Sequence, residues 1–592
     1  MCKKDISRRK FLGITGGALG AAALGSMIFS QEGWAENKPE FKVDEMLEQE
    51  LDTDVLIVGG GMAGLFATVK AHDAGAKVIM VSKGRLGSSG QTPFAKGIFE
   101  YDAQTSKYSI DEFVEAVSHS AIGTNNPVYT RQVAEHSKAR VQELRDWGFF
   151  DSPLYHKSFS KPIQERNISV IERVTITHLI KQNGKIVGAA GFSIDEAKTY
   201  FINAKSVILC TGAGGFKPNG FPICDLTHDG TVMAYNIGAK VTGKEWNDGH
   251  PGRSDNAAAC YDGWGNMFEQ KPSTTSIGIR HDLGVDLNYM AYVNGGGAVM
   301  GPPGANRSSK VVGGPYRPEG ISQEGPGGGH GPDDKERPSG GGKGPGRGKG
   351  PEGDKRRGKE GDGPPPGMGG SPVGGSSAGM AIHKSEGLVP INDKCESNIP
   401  GLYAAGDALG SYMAGAIYTQ IGSSLAGSAV QGAIAGEAAA EYVGKVAAEP
   451  IFDQKKKEIL EEIQAPLERK SGYSPAWVTQ TLQGIMIPNF ILYIKKENLM
   501  RAALAYVEEL RDHHLPLLKA SDLHELRLAH ETRNMVVSAE MKLKASLMRT
   551  ESRCSHYRLD YPELDNENWR AWINIYKGED GIMQFEKQPF KG

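Results

Sequence analysis

Short apolar runs that end at small residues predict the strands of a buried sheet. One run leads from Asp54 into Gly59-Gly60-Gly61-Met62-Ala63-Gly64, and a helical pattern follows it. A second run ends at Ser82 and Lys83, which completes a strand–helix–strand unit. A third ends in a glycine turn at 211–215. This succession predicts an α/β fold with a Rossmann-like sheet.

The glycine cluster predicts a dinucleotide site. Gly59, Gly61 and Gly64 have the spacing G-x-G-x-x-G between a strand and a helix, which is the context that gives this motif its meaning. The first glycine allows a tight turn, the second lets the backbone approach a pyrophosphate, and the third lets the helix pack on the strand. An acidic residue usually ends the second strand and holds a ribose. Here Ser82 and Lys83 stand at that place, so the pattern does not suggest NAD.

The remaining patterns predict a hairpin, a helical C-terminal region and two polar segments. Residues 165–209 alternate like strands, and Gln182-Asn183-Gly184-Lys185 is typical of a hairpin turn. Residues 453–550 keep the one-face period of helices.

Residues 302–377 are rich in glycine, proline and mixed charge, which predicts a disordered or loosely ordered insertion. The acidic residues in this segment argue against a basic arm that binds nucleic acid. The charged stretch from Arg549 to Pro562 favours a salt-bridged surface loop.

The first 35 residues are typical of an export signal. Ser7-Arg8-Arg9-Lys10-Phe11-Leu12 precedes an uncharged run that ends near Phe29, and a small-x-small exit follows at Gly33-Trp34-Ala35. The arginine pair resembles a twin-arginine signal, the route for proteins that fold around a cofactor before export. An uncleaved membrane anchor is the alternative. Either reading predicts that the folded chain is periplasmic or extracytoplasmic.

Composition excludes several kinds of site and partner. The formal net charge of −3 implies no polyanionic partner, and the six cysteines form no CxxC pair. Their scatter argues against a zinc site, an iron–sulfur cluster or a haem attachment site, so we expect no metal site. The lack of a CxxC pair also argues against an NAD(P)-linked disulfide reductase. Cys210 lies in an apolar run and is expected to be a buried thiol.

These segments, in this order, resemble the flavoprotein subunits of succinate dehydrogenase and fumarate reductase, with L-aspartate oxidase and the adenylylsulfate reductase alpha chain as relatives. The resemblance covers roughly 52–250 and 385–580. Its markers are the glycine motif, Ser88-Ser89-Gly90, Thr211-Gly212-Ala213-Gly214-Gly215, Thr227-His228-Asp229-Gly230, His250-Pro251, Ala404-Ala405-Gly406-Asp407 and Arg549-Thr-Glu-Ser-Arg553.

The resemblance implies an FAD-binding domain with an inserted cap and a helical C-terminal domain. The expected boundaries are a signal at 1–35, the FAD-binding domain at 52–250 and 381–445, the cap at 251–380 with its insertion at 302–377, and the helical domain and tail at 450–592. The residues expected to contact FAD are Gly59, Gly61, Met62, Ala63, Gly64, Ser82, Lys83, Ser89, Gly90, Thr211, Gly212, Asp229, Asp407, Ser423, Ser424 and Leu425.

Particular contacts follow from the same resemblance. Asp407 is expected to hold the ribose or ribityl chain, and Ser423 and Ser424 to lie against the flavin at a helix N-terminus. Covalent members of the family have a histidine where Gly90 stands, so non-covalent FAD is expected. His250 matches the substrate histidine of a Phe-His-Pro motif, and Arg317 echoes a proton-donating arginine; the alternatives are a structural histidine and a solvated loop arginine.

Two departures from the family concern the substrate. The run 376–382 lacks the histidine of family fumarate reductases, and Thr419 stands where they have a carboxylate-binding arginine. Without these residues the charge-assisted recognition of a dicarboxylate is lost, so succinate and fumarate are not the expected substrates. We expect an oxidoreductase that exchanges hydride with another small organic molecule. A non-catalytic electron-transfer subunit is the alternative.

Partners are also implied by the family. Because the sequence has no haem or cluster motif, electrons need another route, and the family uses a separate iron–sulfur subunit, in places with a membrane quinone module. An iron–sulfur or cytochrome subunit is therefore the expected partner, and no nucleic acid is expected.

Overall fold

The computed structural model describes residues 46–591 apart from 95–97, 105, 107–108, 152–154, 218–224, 247–251, 254–271, 274–371, 374–385, 411–412, 417–422, 487–488, 493 and 555. These residues belong to a compact unit that spans Val43–Gly592. The export signal, His250, Arg317, Thr419 and nearly all of the cap lie outside the described residues.

The chain up to the cap contains a strand–helix–strand unit followed by helices and a meander. The first elements are β1 (Leu47–Val58), α1 (Met62–Asp73) and β2 (Val78–Ser82). Next come β3 (Ile98–Phe99), α2 (Ile110–Ser120), α3 (Pro127–Asp146), α4 (Tyr155–Glu165), β4 (Ser169–Glu172), β5 (Val174–Gln182), β6 (Lys185–Ser193), β7 (Lys198–Leu209), α5 (Asp229–Asn236) and β8 (Val241–Thr242).

Short strands, the returning nucleotide-domain elements and the C-terminal helices follow. The strands are β9 (Gly252–Arg253), β10 (Pro272–Ser273), β11 (Pro372–Val373), β12 (Gly387–Leu388) and β13 (Leu402–Ala404). The remaining elements are α6 (Ser423–Val443), α7 (Asp453–Glu468), α8 (Pro475–Met486), α9 (Asn489–Leu492), β14 (Ile494–Lys495), α10 (Glu497–Glu509), α11 (Leu523–Met548), β15 (Tyr557–Arg558), α12 (Asn566–Trp569), β16 (Ala571–Lys577) and β17 (Met583–Pro589).

The central sheet has the order β4-β2-β1-β7-β6-β5. Strand β7 changes partner along its length, because Thr199–Asn203 pairs with antiparallel β6 while Val207–Leu209 pairs with parallel β13. Strands β1, β2, β4, β7 and β13 are parallel, so their carboxyl ends meet at one edge of the sheet. In open α/β sheets this edge is where ligands bind. The α/β prediction is confirmed.

The predicted hairpin is also present. Asn183 and Gly184 connect β5 to β6 and both have positive φ, 49° and 80°. A two-residue turn with two left-handed residues matches the twist of the flanking strands, which is why Asn-Gly predicts it.

A second sheet contains the strands on either side of the segment 251–380. Strands β8 and β12, which we call the stem strands, pair antiparallel and are the described elements from which the chain enters and leaves 251–380. The C-terminal strands β16 and β17 extend them in the order β12-β8-β16-β17. Helices form at the positions predicted within 453–550, whereas the tail adds these two strands. None of the described helices has both the length and the apolar character needed to cross a membrane.

The prediction of a surface loop is wrong for 549–558, although residues 560–562 are exposed. Arg549, Glu551, His556 and Arg558 are completely buried, and Arg553 nearly so. Arg549 donates to Glu245, Glu551 and the carbonyls of Trp569 and Ala571. The charges neutralise one another inside the protein, so their density along the chain did not indicate exposure.

Candidate functional site

The glycine turn after β1 requires glycine at its first and third positions. Gly59 has φ of 119°, and a Cβ on it would lie 2.2 Å from the carbonyl oxygen of Cys210 at the end of β7. A Cβ on Gly64 would lie 1.9 Å from the carbonyl oxygen of Gly59. The two glycines therefore let α1 pack against its own turn and against the neighbouring strand. Cys210 is a buried free thiol, as predicted.

The N-terminus of α1 opens at the same edge. Its N-cap is Gly61, which has no side chain to cap the helix, and the amide of Met62 donates to Thr92 Oγ1 at 3.2 Å. The first amides of a helix have no partner within the helix, and the positive end of its dipole favours an anion. This arrangement suits a phosphate group.

A cleft of about 890 Å³, including its solvent-open part, lies above these elements. Its walls include segments from β1, β2, β5, β7, α5 and the turn after β13. Twelve of the residues predicted to contact the cofactor line it: Gly59, Gly61, Met62, Ala63, Ser82, Lys83, Ser89, Gly90, Thr211, Gly212, Asp229 and Asp407. Gly64 does not line the cleft but packs against the turn at Gly59.

The end of β2 carries an ion cluster instead of a lone acid. Lys83 Nζ lies 2.7 Å from Asp229 Oδ2, 3.1 Å from Thr227 Oγ1 and 2.9 Å from Glu531 Oε1. Glu531 belongs to α11, 448 positions along the chain from Lys83. Burial alone would lower the pKa of Lys83, but Asp229 and Glu531 raise it, so the amine is a stable cation.

Glu531 was not predicted from the sequence. Its side chain is about 1% exposed and accepts hydrogen bonds from Lys83, Lys217 and Arg527. Burial would raise the pKa of Glu531, but the attraction of Lys83, Lys217 and Arg527 outweighs it and lowers the pKa to about 2. No local motif marks this residue, because its partners lie on other elements.

Ser89 and Gly90 form a tight turn at the rim. Gly90 has φ of 71°, and its amide donates to Asp225 Oδ2 at 2.9 Å. A Cβ on Gly84 would meet Ser89 Oγ at 2.2 Å, so the two segments are in close contact. The position held by histidine in covalent relatives is thus a left-handed glycine here.

The opposite wall follows β13. Asp407 comes directly after Gly406, whose φ is 67° and whose amide donates to Gln431 Oε1 at 3.0 Å. Ser424 is half-buried and Leu425 is buried at the start of α6. Neither is among the residues that line this cleft, and only the backbone of Ser423 is described.

A second buried ion cluster lies where the stem strands end. Lys244 follows β8 and Glu386 precedes β12, and Lys244 Nζ lies 3.1 Å from Glu386 Oε2. His228 Nδ1 lies 2.5 Å from Glu386 Oε1, and Lys542 Nζ lies 3.8 Å from Oε2. His228 has a left-handed backbone, with φ of 62°, immediately before Asp229. The sequence marked His228 only as part of a motif and missed the other three residues.

The cleft fits FAD. The glycine turn and the helix N-terminus suit a pyrophosphate, and Asp229 and Asp407 suit hydroxyl groups. The buried Thr175 Oγ1 and Gln91 Nε2 line the cleft and have no hydrogen-bond partner among the described residues. Buried polar atoms of this kind are normally satisfied by a polar ligand or water.

Comparisons with known proteins agree with this geometry. Residues 54–161 match the family model for an FAD binding domain, and residues 479–591 match the model for the fumarate reductase flavoprotein C-terminal region. An uncharacterized FAD-dependent oxidoreductase of Methanocaldococcus jannaschii is 27% identical over 579 residues, which cover 91% of this chain and 98% of the relative.

Two further relatives extend over nearly the whole chain. One subunit of the fumarate reductase (CoM/CoB) of Methanothermobacter marburgensis is 24% identical over 586 residues, covering 89% of this chain and 98% of the relative. The structure of adenylylsulfate reductase from Archaeoglobus fulgidus superposes with a TM-score of 0.66 at 20% identity, covering 93% of this chain and 98% of that one. This last likeness is one of fold. The chain is therefore an FAD-dependent oxidoreductase and belongs to the superfamily of succinate dehydrogenase and fumarate reductase flavoproteins.

Proposed function

We propose that this chain is an exported enzyme that reduces or oxidises a small organic substrate other than succinate or fumarate, with FAD held non-covalently. The observation that carries the proposal is the sequence of the two segments that bind dicarboxylates in family fumarate reductases. Thr419 replaces their arginine, and the run 376–382 contains no histidine. Without these two residues the charge-assisted recognition of a dicarboxylate is lost, which favours a substrate of another class.

The chain's own residues divide into cofactor-binding and proton-moving groups. The turn at Gly59 and Gly61 and the amides of α1 hold the pyrophosphate, while Asp229 and Asp407 accept hydrogen bonds from hydroxyl groups. From the family resemblance we infer that Ser423 and Ser424, at the start of α6, contact the flavin. FAD, when bound, supplies the hydride acceptor or donor. His250 or Arg317 moves the proton that accompanies the hydride across the substrate's double bond.

A stopped-flow experiment tests the proposal. Purified protein reduced with dithionite is mixed with enoates, enones and other acceptors, with fumarate included because the relative from M. marburgensis is named a fumarate reductase. We expect rapid return of oxidised flavin absorbance with one compound class and not with fumarate. Rapid reoxidation by fumarate, or by none of the compounds, contradicts the proposal.

Two variants assign the proton-moving residues. His250→Asn and Arg317→Met are expected to slow reoxidation by the active compound while the flavin spectrum stays unchanged. Arg307→Gln is the matched control, because Arg307 lies in the same segment and has no proposed role. Equal slowing by Arg307→Gln would assign the effect to the segment as a whole.

A non-catalytic electron-transfer subunit is the second candidate function. The same replacements at Thr419 and 376–382 support it, since they would follow from loss of substrate binding. Either function requires an electron partner, and we propose an iron–sulfur or cytochrome subunit, with a membrane quinone module as a further component. If small acceptors fail while a co-purified partner oxidises the flavin, this second function is the correct one.

Export is tested separately. Cell fractionation of the tagged chain should place it outside the cytoplasm, and Arg8→Lys with Arg9→Lys should retain it inside. Lys3→Arg with Lys4→Arg preserves the charge without touching the arginine pair and serves as the control. Retention by both double variants would contradict the twin-arginine assignment.

A further inference from the structure

Lys83 uses all of its hydrogen-bond donors within the protein. An ammonium group has three hydrogens, and Lys83 Nζ has three acceptors: Asp229 Oδ2 at 2.7 Å, Glu531 Oε1 at 2.9 Å and Thr227 Oγ1 at 3.1 Å. Although Lys83 lines the cleft, no hydrogen remains for a ligand. Its ammonium group therefore orders its neighbours.

Asp229 keeps a free acceptor position. Its Oδ1 accepts from Thr227 Oγ1 at 2.9 Å and from Asn534 Nδ2 at 2.8 Å, and its Oδ2 accepts from Lys83. A carboxylate offers about four lone-pair sites, so one remains on Oδ2. Asp229 also lines the cleft and contacts Lys83, which follows the strand whose end usually carries a ribose-binding acid.

Two residues on one face of α11 hold this arrangement. Glu531 and Asn534 are three positions apart and so project from the same side of the helix. Glu531 bonds Lys83, and Asn534 bonds Asp229. Neither Glu531 nor Asn534 lines the cleft.

The same helix also fixes the loop after β7. Glu531 Oε2 accepts from Lys217 Nζ at 2.5 Å. Gln483 of α8 donates to the carbonyl oxygen of Phe216 at 2.9 Å. The C-terminal helices thus contact all three segments that flank Asp229 in the cleft wall: the end of β2, the loop after β7 and the start of α5.

We propose that Glu531 and Asn534 are positioning residues of the FAD site. They hold Asp229 so that its free lone pair accepts a hydroxyl of the adenosine ribose, in place of the acid that is missing from the end of β2. FAD affinity therefore depends on the C-terminal helical region, although that region makes no contact with the cleft through these residues.

Titration of deflavinated protein with FAD, followed by flavin fluorescence, tests this inference without any substrate. Glu531→Gln should raise the Kd for FAD on the order of 10-fold, because a charged partner of Lys83 is lost. Asn534→Ala should raise it about 3-fold or more, since one bond to a carboxylate is removed. The result is independent of which substrate is reduced.

Glu540→Gln provides the matched control. Glu540 is buried on the same helix and pairs with Arg511 and Lys544, so its replacement also breaks two ion pairs, but none of these three residues lines the cleft. We expect the Kd of this variant for FAD to stay within about 2-fold of the wild-type value, which is the scatter expected when no binding contact changes. Equal weakening by Glu531→Gln and Glu540→Gln would overturn the inference.

Two further variants keep the inference testable if Glu531→Gln does not fold. Asn534→Ala leaves every charge in place, so wild-type FAD affinity in that variant alone overturns the inference. Lys83→Met should weaken FAD binding at least as much as Glu531→Gln, because Glu531 acts through Lys83, and the double variant should bind FAD no more weakly than Lys83→Met alone. Additive losses would instead mean that Glu531 acts on FAD binding independently of Lys83 and would refute this assignment.

Discussion

Lys244 and Glu386 form a buried ion pair beside the two stem strands. Lys244 Nζ lies 3.1 Å from Glu386 Oε2, and neither side chain is more than about 1% exposed. The two residues sit on the chain as it leaves β8 and as it returns to β12. His228, beside Asp229, and Lys542 of α11 approach the same carboxylate. One carboxylate therefore joins the cofactor domain, both stem strands and the C-terminal helices.

Replacement of this carboxylate should destabilise the protein strongly. Glu386→Gln leaves Lys244 and Lys542 without their buried counter-ion, which costs about 3–5 kcal/mol of unfolding free energy. Denaturant unfolding followed by tryptophan fluorescence measures the change. Glu441→Gln is the control, because Glu441 forms comparable pairs with Lys394 and Lys445 at the surface. Similar losses in both variants would contradict the prediction.

The second lysine of this cluster should make stability depend on pH. Burial, more than any neighbour, lowers the pKa of Lys542 to about 7, because the attraction of Glu386, which lies closer to Lys244, and of Glu245 does not offset it. The unfolded chain keeps the usual lysine pKa of about 10.4. Between these values the unfolded state binds one more proton, so this residue makes the unfolding free energy rise with pH, by up to about 1.4 kcal/mol per unit.

Lys542→Met should remove that contribution. Unfolding free energies measured from pH 7 to pH 10 should rise less steeply in the variant than in the wild type. The slope is the informative quantity, because the variant also loses the bonds from Lys542 to the carbonyls of Lys244 and Trp246 and so changes stability at every pH. An unchanged slope would show that Lys542 keeps its proton throughout.

The sequence predicted features that depend on neighbours along the chain. The glycine turn, the Asn183-Gly184 hairpin and the helices within 453–550 each follow from local spacing, and twelve predicted residues meet in one cleft. Glu531 was missed because its partner Lys83 is 448 positions away. Arg549 and its neighbours were misassigned to the surface for the same reason, since Arg549's partner Glu245 is 304 positions away. Charge along a chain does not reveal whether the core holds a counter-charge.

Replacement of Arg549 by lysine should destabilise the protein. Four of its five N–H groups donate hydrogen bonds, to the carboxylates of Glu245 and Glu551 and to the carbonyls of Trp569 and Ala571. Its Nη2 also lies 2.8 Å from Glu245 Oε1. Lysine supplies three donors from a single point, so Arg549→Lys should cost about 2–4 kcal/mol of unfolding free energy. Denaturant unfolding of this variant beside Arg501→Lys is the test. Arg501 pairs with Glu497 on an exposed helix face, and an equal effect there would refute the argument from donor number.

Of two glycine-to-alanine variants, one should disrupt the FAD site and the other should stabilise the fold. A Cβ at Gly64 would lie 1.9 Å from the carbonyl oxygen of Gly59, so Gly64→Ala must displace α1 from the turn and should abolish stoichiometric FAD binding. At Gly484, exposed in α8, a Cβ meets nothing within 4 Å. Gly484→Ala should therefore raise the unfolding free energy by about 0.5–1 kcal/mol. Flavin content and thermal unfolding distinguish these outcomes, and normal flavin content in Gly64→Ala would contradict the packing argument.

Acid precipitation should separate the flavin from the protein completely. Gly90 stands where covalent relatives have a histidine, and its left-handed backbone, with φ of 71°, donates its amide to Asp225. A glycine offers no nucleophilic atom to a flavin, so non-covalent contacts alone should hold FAD. After precipitation with trichloroacetic acid, all flavin absorbance should be in the supernatant, and the released compound should co-migrate with FAD. Flavin fluorescence that stays with the denatured chain on a gel would mean that another residue forms the bond, and proteolysis of that band would identify it.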